Sequence, residues 1–132
     1  MGIECISRGA TDVIFNDIDK NAVEVIKKNL GHAKIPLSNE RGVLCLNLDY
    51  VAAIEKLCGQ KFELVFLDPP FVDIDAPWVA VEKLVQYEML SPHAVIVCET
   101  QTPGLEFPGF DVKFKKYGRA VIYFLKLVDK LF

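Results

Sequence analysis

The feature that most constrains the fold of this chain is an apolar run that ends abruptly in two prolines. The run Leu64 to Leu67 consists of consecutive apolar residues, which is typical of a strand buried on both faces of a parallel sheet. The sequence Asp-Pro-Pro-Phe follows at 68–71. Two prolines remove two backbone donors and restrict the residues before them, so the strand has to end and the chain leaves the sheet in a stiff loop.

This loop carries groups that suit a planar amine. In an open α/β sheet, ligands lie beyond the carboxyl ends of strands, and Asp68 follows such an end. Carboxylates and backbone carbonyls only accept hydrogen bonds, which fits the hydrogens of an exocyclic amino group, and Phe71 offers a face for a flat ring. The simpler alternative is an Asp-Pro-Pro turn followed by a core phenylalanine. Acidic residues at other strand ends favour the functional interpretation.

Strand and helix patterns alternate along the rest of the chain. They predict helices at 1–8, from the cap Asp19 to Leu30, at 51–57 and at 78–90, and strands at 12–17, 42–46, 64–67 and 94–98. Two further strands, 110–117 and 120–127, are joined across a Gly-Arg pair as an antiparallel hairpin. The chain has 132 residues and no linker or repeat, so we expect one α/β domain that ends in this hairpin.

Composition limits the classes of partner. The net charge is −3, so a nucleic acid would need a local basic patch; Lys113, Lys115, Lys116 and Arg119 form one, although a solvated hairpin face is the commoner meaning. The four cysteines are widely spaced, which predicts no metal site and buried, reduced thiols. No apolar run approaches the roughly 20 residues of a membrane span, and no signal peptide is visible, so we expect a cytoplasmic protein.

Several segments resemble one known family. The sequence at 67–71, Leu-Asp-Pro-Pro-Phe, resembles the catalytic Asp/Asn-Pro-Pro-aromatic motif of S-adenosylmethionine-dependent methyltransferases that act on amino groups of nucleobases. Four other segments together resemble the RsmD family, bacterial enzymes that methylate a guanine N2 of 16S ribosomal RNA. These segments are Met1-Gly-Ile-Glu-Cys-Ile-Ser-Arg-Gly-Ala10, Asp17-Ile-Asp-Lys-Asn-Ala-Val23, Lys28-Asn-Leu30 and Tyr117-Gly-Arg-Ala-Val-Ile-Tyr123. The likeness implies a Rossmann-like class I methyltransferase sheet closed by the hairpin.

The resemblance assigns cofactor contacts to two strand ends. Asp17 corresponds to the acid that accepts both ribose hydroxyls of S-adenosylmethionine, a role that suits the two oxygens of a carboxylate. Asp49 corresponds to the acid that accepts the adenine amino group, and Leu48 would pack on the adenine ring. The alternatives are a surface turn or second cap for Asp17 and an ordinary helix N-cap for Asp49.

The resemblance also assigns the catalytic residues Asp68, Pro69, Pro70 and Phe71. Asp68 and the Pro69 carbonyl would accept hydrogen bonds from the target guanine amino group, and Phe71 would stack on or position the base. Acceptors that hold the amino hydrogens favour a more tetrahedral nitrogen, because the lone pair is then less delocalised into the ring.

The sequence departs from the family at its start. In the family, a first strand and a glycine-rich loop precede the helix that here begins near Met1, so Gly2 corresponds at best to the trailing end of that loop. That strand is central, between the strands that end at Asp17 and Asp68. Bare interior edges are costly, so we expect one of three arrangements: direct closure of the two strands, pairing with a partner chain, or an N-terminally truncated domain from a longer enzyme. The third is favoured.

The sequence therefore predicts methyl transfer from S-adenosylmethionine to the N2 amine of a guanine, with 16S rRNA in an assembling small ribosomal subunit as the partner. A DNA adenine-N6 methyltransferase is the nearest alternative, since the same acceptor chemistry serves any base amine. A receiver-type signalling module would need an adjacent acidic pair and a Lys-Pro pair that the chain lacks. A catalytically inactive fragment that acts through self-association or partner binding is the remaining alternative.

Overall fold

The structure, a computed structural model, describes residues 2–10, 12–37, 42–68 and 75–128. The chain divides into two compact units, Met1–Lys56 and Leu57–Phe132. The first contains α1 (Gly2–Ser7), β1 (Val13–Asn16), α2 (Lys20–His32), β2 (Val43–Leu46) and α3 (Tyr50–Lys56), and the second contains β3 (Phe62–Leu67), α4 (Ala76–Gln86), β4 (Leu90–Thr100), β5 (Phe110–Tyr117) and β6 (Ala120–Leu127). The predicted α/β class with a closing antiparallel hairpin is confirmed, and the prediction of one domain stays a prediction.

In the first unit, β1 and β2 form a parallel pair whose carboxyl ends lie side by side. The register joins Val13 to Val43 at one end and Asn16 to Leu46 at the other. The intervening helix α2 starts where the sequence predicts, because the Asp19 carboxylate accepts a hydrogen bond of 2.9 Å from the Asn21 amide and so satisfies an amide that has no partner within the helix.

In the second unit, four strands lie in the order β3-β4-β6-β5. The β3–β4 pair is parallel, and the β4–β6 and β5–β6 pairs are antiparallel. Alternate residues of the two central strands are buried, among them Ile96 and Cys98 on β4 and Tyr123 and Leu125 on β6, which is the period of two that a half-covered sheet requires. Helix α4 packs on β4 and buries Val81 completely.

The Tyr123 hydroxyl fixes the loop that follows β4. It donates a hydrogen bond of 2.6 Å to the Thr102 carbonyl and accepts one of 3.2 Å from the Leu105 amide. Because the tyrosine is only 2% exposed, its hydroxyl needs such partners to avoid an unpaired buried polar group. The loop is thereby tied to the central strands.

Strand β3 is not buried on both faces, contrary to the sequence prediction. Leu64 is 44% and Phe66 38% exposed. Side chains of a strand point to the two faces of its sheet, so their burial depends on what packs on each face. Strand β3 lies at one edge of the four-stranded sheet while α4 packs on β4, and an apolar run alone does not show which faces are covered.

The predicted helix at 78–90 is also displaced. It runs from Ala76 to Gln86 because Glu88 adopts a positive φ of 53°, a left-handed conformation that ends the helix. The Met89 carbonyl then accepts a hydrogen bond from the Phe62 amide at 2.8 Å. Strand β4 starts at Leu90 and is longer than the predicted 94–98.

The described strands form two sheets, with β1 in one and β3 in the other. No helix in the described ranges is long and apolar enough to cross a membrane.

Candidate functional site

The loop after β2 is held against the end of β1 by the side chain of Asn16. Its Nδ2 donates to the Leu48 carbonyl at 2.9 Å, and its Oδ1 accepts from the Leu48 amide at 3.1 Å. The asparagine amide therefore pairs with both polar groups of one backbone residue, as a neighbouring strand would. This fixes the position of Leu48 relative to β1.

A second asparagine makes the reciprocal contact. Asn47 Nδ2 donates to the Asp17 carbonyl at 2.9 Å and to the Ile18 carbonyl at 3.0 Å. The loop after β1 is thus held by a side chain from β2's loop, and the loop after β2 by a side chain from β1. We call the pair Asn16 and Asn47 the asparagine brace. Sequence patterns alone do not single out either residue, although Asn16 ends β1 directly before Asp17 and Asn47 follows β2 two residues before Asp49.

The two predicted cofactor acids lie in the loops that the asparagine brace joins. Asp17 is half-buried and its Oδ1 accepts from the Asp19 amide at 2.9 Å, which closes a turn. Asp49 is exposed and its Oδ1 accepts from the Ala52 amide at 3.0 Å, so the N-cap alternative for Asp49 is realised. Within the described residues, the hydrogen bonds of both carboxylates use Oδ1.

Gly2 has a packing explanation of its own. It is the first residue of α1, and a Cβ placed on it would overlap the ring of Phe15 on β1. The glycine thus permits a close approach between α1 and β1. This contact does not test the predicted proximity of Gly2 to the cofactor.

Asp68 follows β3 at the carboxyl edge of the four-stranded sheet, and its side chain is exposed. On the neighbouring strand, burial is the main cause that raises the pKa of the Cys98 thiol to about 12. The negative charge of Asp68 adds a smaller increase to this pKa. Cys98 pairs with Leu67 in the β3–β4 register. Pro69, Pro70 and Phe71, the other predicted catalytic residues, lie outside the described residues.

One cleft of the second unit lies elsewhere. It has a volume of about 460 Å³ and lies beside Trp78, Phe110 and Leu127. Phe110, the first residue of β5, pairs with Leu127, the last residue of β6. This pair lies at the end of the strands opposite to the end where Asp68 follows β3. No predicted site residue lines this cleft.

The described ranges contain no group of three or more His, Cys, Asp or Glu side chains placed to hold a metal ion. The cysteines are free, as predicted, but only Cys98 is fully buried, and Cys58 is exposed. The prediction that all four thiols are buried is therefore wrong for Cys58. This residue lies beyond the end of α3, and apolar neighbours in the sequence do not by themselves bury a thiol.

Comparison with known proteins identifies the family. The family model described as "Conserved hypothetical protein 95" matches residues 1–126. Ribosomal RNA small subunit methyltransferase D from Haemophilus influenzae is 32% identical over 101 residues, which cover 76% of this chain and 51% of that protein. The chain therefore spans about half the length of the curated relative that it matches.

Solved structures share the fold. A candidate methylase from Haemophilus influenzae is 28% identical with a TM-score of 0.80, over 97% of this chain and 80% of that one. A conserved hypothetical protein from Streptococcus pyogenes is 28% identical with a TM-score of 0.79, over 95% and 77%. The chain belongs to the conserved hypothetical protein 95 family, which is the RsmD family indicated by its motifs, and has the Rossmann-like α/β fold of methyltransferases.

Proposed function

We propose that the protein to which this chain belongs transfers a methyl group from S-adenosylmethionine to the N2 amine of a guanine in small-subunit ribosomal RNA. The observation that carries the proposal is the placement of Asp17, Asp49 and Asp68, each just beyond the carboxyl end of a strand that has a parallel neighbour. Ligands of open α/β sheets bind at such ends. Family membership and the name of the relative from Haemophilus influenzae support the reaction class and the RNA substrate.

The side chains of the first unit fit the nucleoside part of the cofactor. A ribose diol and an adenine amino group offer hydrogens, and the Oδ2 atoms of Asp17 and Asp49 are acceptors. Leu48 is half-buried and would pack on the adenine ring, while Gly2 would lie near the methionine part. The bound cofactor supplies an electrophilic methyl group. The asparagine brace would hold both acidic loops in position before the cofactor arrives, which reduces the ordering that binding requires.

The residues at 68–71 would hold and orient the amine. The Asp68 carboxylate and the Pro69 carbonyl accept its hydrogens, Phe71 stacks on the base, and Pro70 stiffens the loop. With its hydrogens held, the nitrogen presents its lone pair toward the methyl group instead of delocalising it into the ring. The amine loses one proton on methylation, and the Asp68 carboxylate, which holds one of its hydrogens, would accept that proton.

The proposed setting is 16S rRNA in an assembling small subunit in the cytoplasm. Self-association is a separate prediction. It would use the free edge of β3, where Leu64 and Phe66 are exposed, because an exposed edge strand with apolar side chains can pair with another chain. Sedimentation of the chain at several concentrations would test it, and a monomer at every concentration would contradict it.

Calorimetric titration of S-adenosylhomocysteine into the full-length protein tests the cofactor site. Asp49→Asn keeps the oxygen that caps α3 but replaces the other acceptor with a donor, so it should weaken binding roughly 10- to 100-fold without lowering stability. Asp17→Asn should weaken binding similarly. Glu55→Gln, an exposed acid on α3, is the matched control. Unchanged affinity in both aspartate variants would remove Asp17 and Asp49 from the site.

Methyl transfer from labelled S-adenosylmethionine to small-subunit RNA tests the chemistry. Asp68→Asn should lower kcat roughly 10- to 100-fold, the effect of losing a charge-assisted hydrogen bond, while S-adenosylhomocysteine binding persists. Glu63→Gln removes an exposed carboxylate from the same strand and should leave the rate unchanged. Methylation of an adenine in duplex DNA in place of RNA would contradict the proposed substrate.

A further inference from the structure

The hairpin of β5 and β6 carries a basic and aromatic surface that the proposed chemistry does not use. Lys113, Lys115 and Tyr117 alternate along β5 and therefore point to the same face of the sheet, and Arg119 lies in the turn. All four are exposed, Tyr117 by 57%. We call these four residues the hairpin surface.

The cations of the hairpin surface are not neutralised within the described part of the chain. The ion pairs there are Arg8 with Glu4 and Lys27 with Glu24, both on helices of the first unit. On the same face, the nearest acid along β5 is Asp111, which stands opposite Lys126. Glu99 lies two strands away, in the row of Ile122 and Lys115. The positive charge is thus local, although the whole chain carries −3.

The tip of the hairpin and Asp68 lie at the same end of the strands in the four-stranded sheet. Thr100 at the end of β4 pairs with Val121, and Tyr117 at the end of β5 pairs with Ala120. Asp68 follows Leu67, which pairs with Cys98 at the same end of β4. With strands about 4.8 Å apart, three steps across the sheet separate β3 from β5 by about 14 Å.

We propose that the hairpin surface binds single-stranded RNA next to the nucleotide held at Asp68, an inference that rests on the proposed function. Lys113, Lys115 and Arg119 contact successive phosphates, and the Tyr117 ring stacks on a base. Unpaired cations combined with an exposed aromatic ring are the combination that single-stranded nucleic acids require. The span from Asp68 is one that a few nucleotides of extended strand can bridge, so the hairpin surface would fix which strand segment presents its guanine.

Fluorescence anisotropy with a short, labelled, mixed-sequence single-stranded RNA and the full-length protein tests this inference. The triple variant K113Q/K115Q/R119Q should reduce the slope of log affinity against log salt by about 2, which is three contacts at about 0.7 each. Lys28→Gln, an exposed lysine on α2, should leave the slope unchanged. An equal slope in the triple variant would overturn the inference.

Tyr117 separates stacking from charge. Tyr117→Leu should weaken RNA binding roughly tenfold, the usual loss for one stacked base, whereas Tyr117→Phe keeps the ring and should bind as the parent does. Equal affinities for the two variants, or equal competition by polyglutamate, would indicate a general site for acidic polymers and overturn the RNA assignment. Calorimetric titration with S-adenosylhomocysteine runs beside these assays. If RNA binding depends on the hairpin surface but neither cofactor binding nor methyl transfer is found, the proposed function fails while the surface stands.

Discussion

Replacement of Asn16 by alanine tests whether the asparagine brace holds the two loops that carry Asp17 and Asp49. The variant loses two partly buried hydrogen bonds, of 2.9 and 3.1 Å, to the backbone of Leu48. At about 1 kcal/mol for each bond, the loop after β2 should lose about 2 kcal/mol of local stability, and somewhat less where water replaces the side chain. That corresponds to opening of the segment from β2 to α3 roughly 10- to 30-fold more often.

Hydrogen exchange of peptides that cover residues 43–56 measures this opening directly. Asn16→Asp, which keeps the acceptor for the Leu48 amide but sets a carboxylate against the Leu48 carbonyl, should be at least as harmful. Asn29→Ala replaces an exposed asparagine on α2 and should leave exchange in this segment unchanged. Protection that falls less than about twofold in Asn16→Ala would refute the idea that the brace positions the loops.

Two further predictions concern other parts of the chain. Gly2→Ala should destabilise the contact between α1 and β1 by about 1–3 kcal/mol, since the new methyl group meets the Phe15 ring; urea unfolding measures this, and a stability equal to that of the parent would show that the ring moves aside freely. The folded Cys98 thiol has its pKa raised to about 12 from an ordinary 9.0, so its contribution is fully present below pH 9 and is lost as the pH rises from 9 toward 12, by about 1.4 kcal/mol per pH unit. Cys98→Ala should have a flatter stability curve in that range, and identical slopes in parent and variant would contradict the burial argument.

Local signals in the sequence predicted the elements well. The sequence predicts Asp19 as the N-cap of α2, and its carboxylate accepts the cap hydrogen bond from the Asn21 amide. The hairpin was expected across Gly118, and its φ of 59° is the left-handed conformation that favours glycine. Both features depend on residues that are adjacent along the chain, which is why sequence alone reveals them.

Features that depend on tertiary neighbours were not predictable in the same way. The exposure of Leu64 and Phe66 depends on what packs on the faces of β3, and a run of apolar residues carries no such information. The end of α4 was missed because Glu88, not a glycine, adopts the positive φ there. The asparagine brace joins residues about thirty positions apart, and only the register of β1 with β2 brings them together.

The position of β4 in the second unit also determines when that unit can form. Its antiparallel partner β6 follows β4 and β5 in the chain, so during synthesis the apolar residues of β4 are made before the strand that pairs with them. The β5–β6 hairpin closes a very short loop, on a timescale of about microseconds, whereas the parallel β3–β4 pair must first enclose α4. We expect pulsed hydrogen exchange to show protection in β5 and β6 before β3. Until the hairpin has left the ribosome, we expect β4 to be prone to aggregation, because its apolar residues lack the strand that pairs with them.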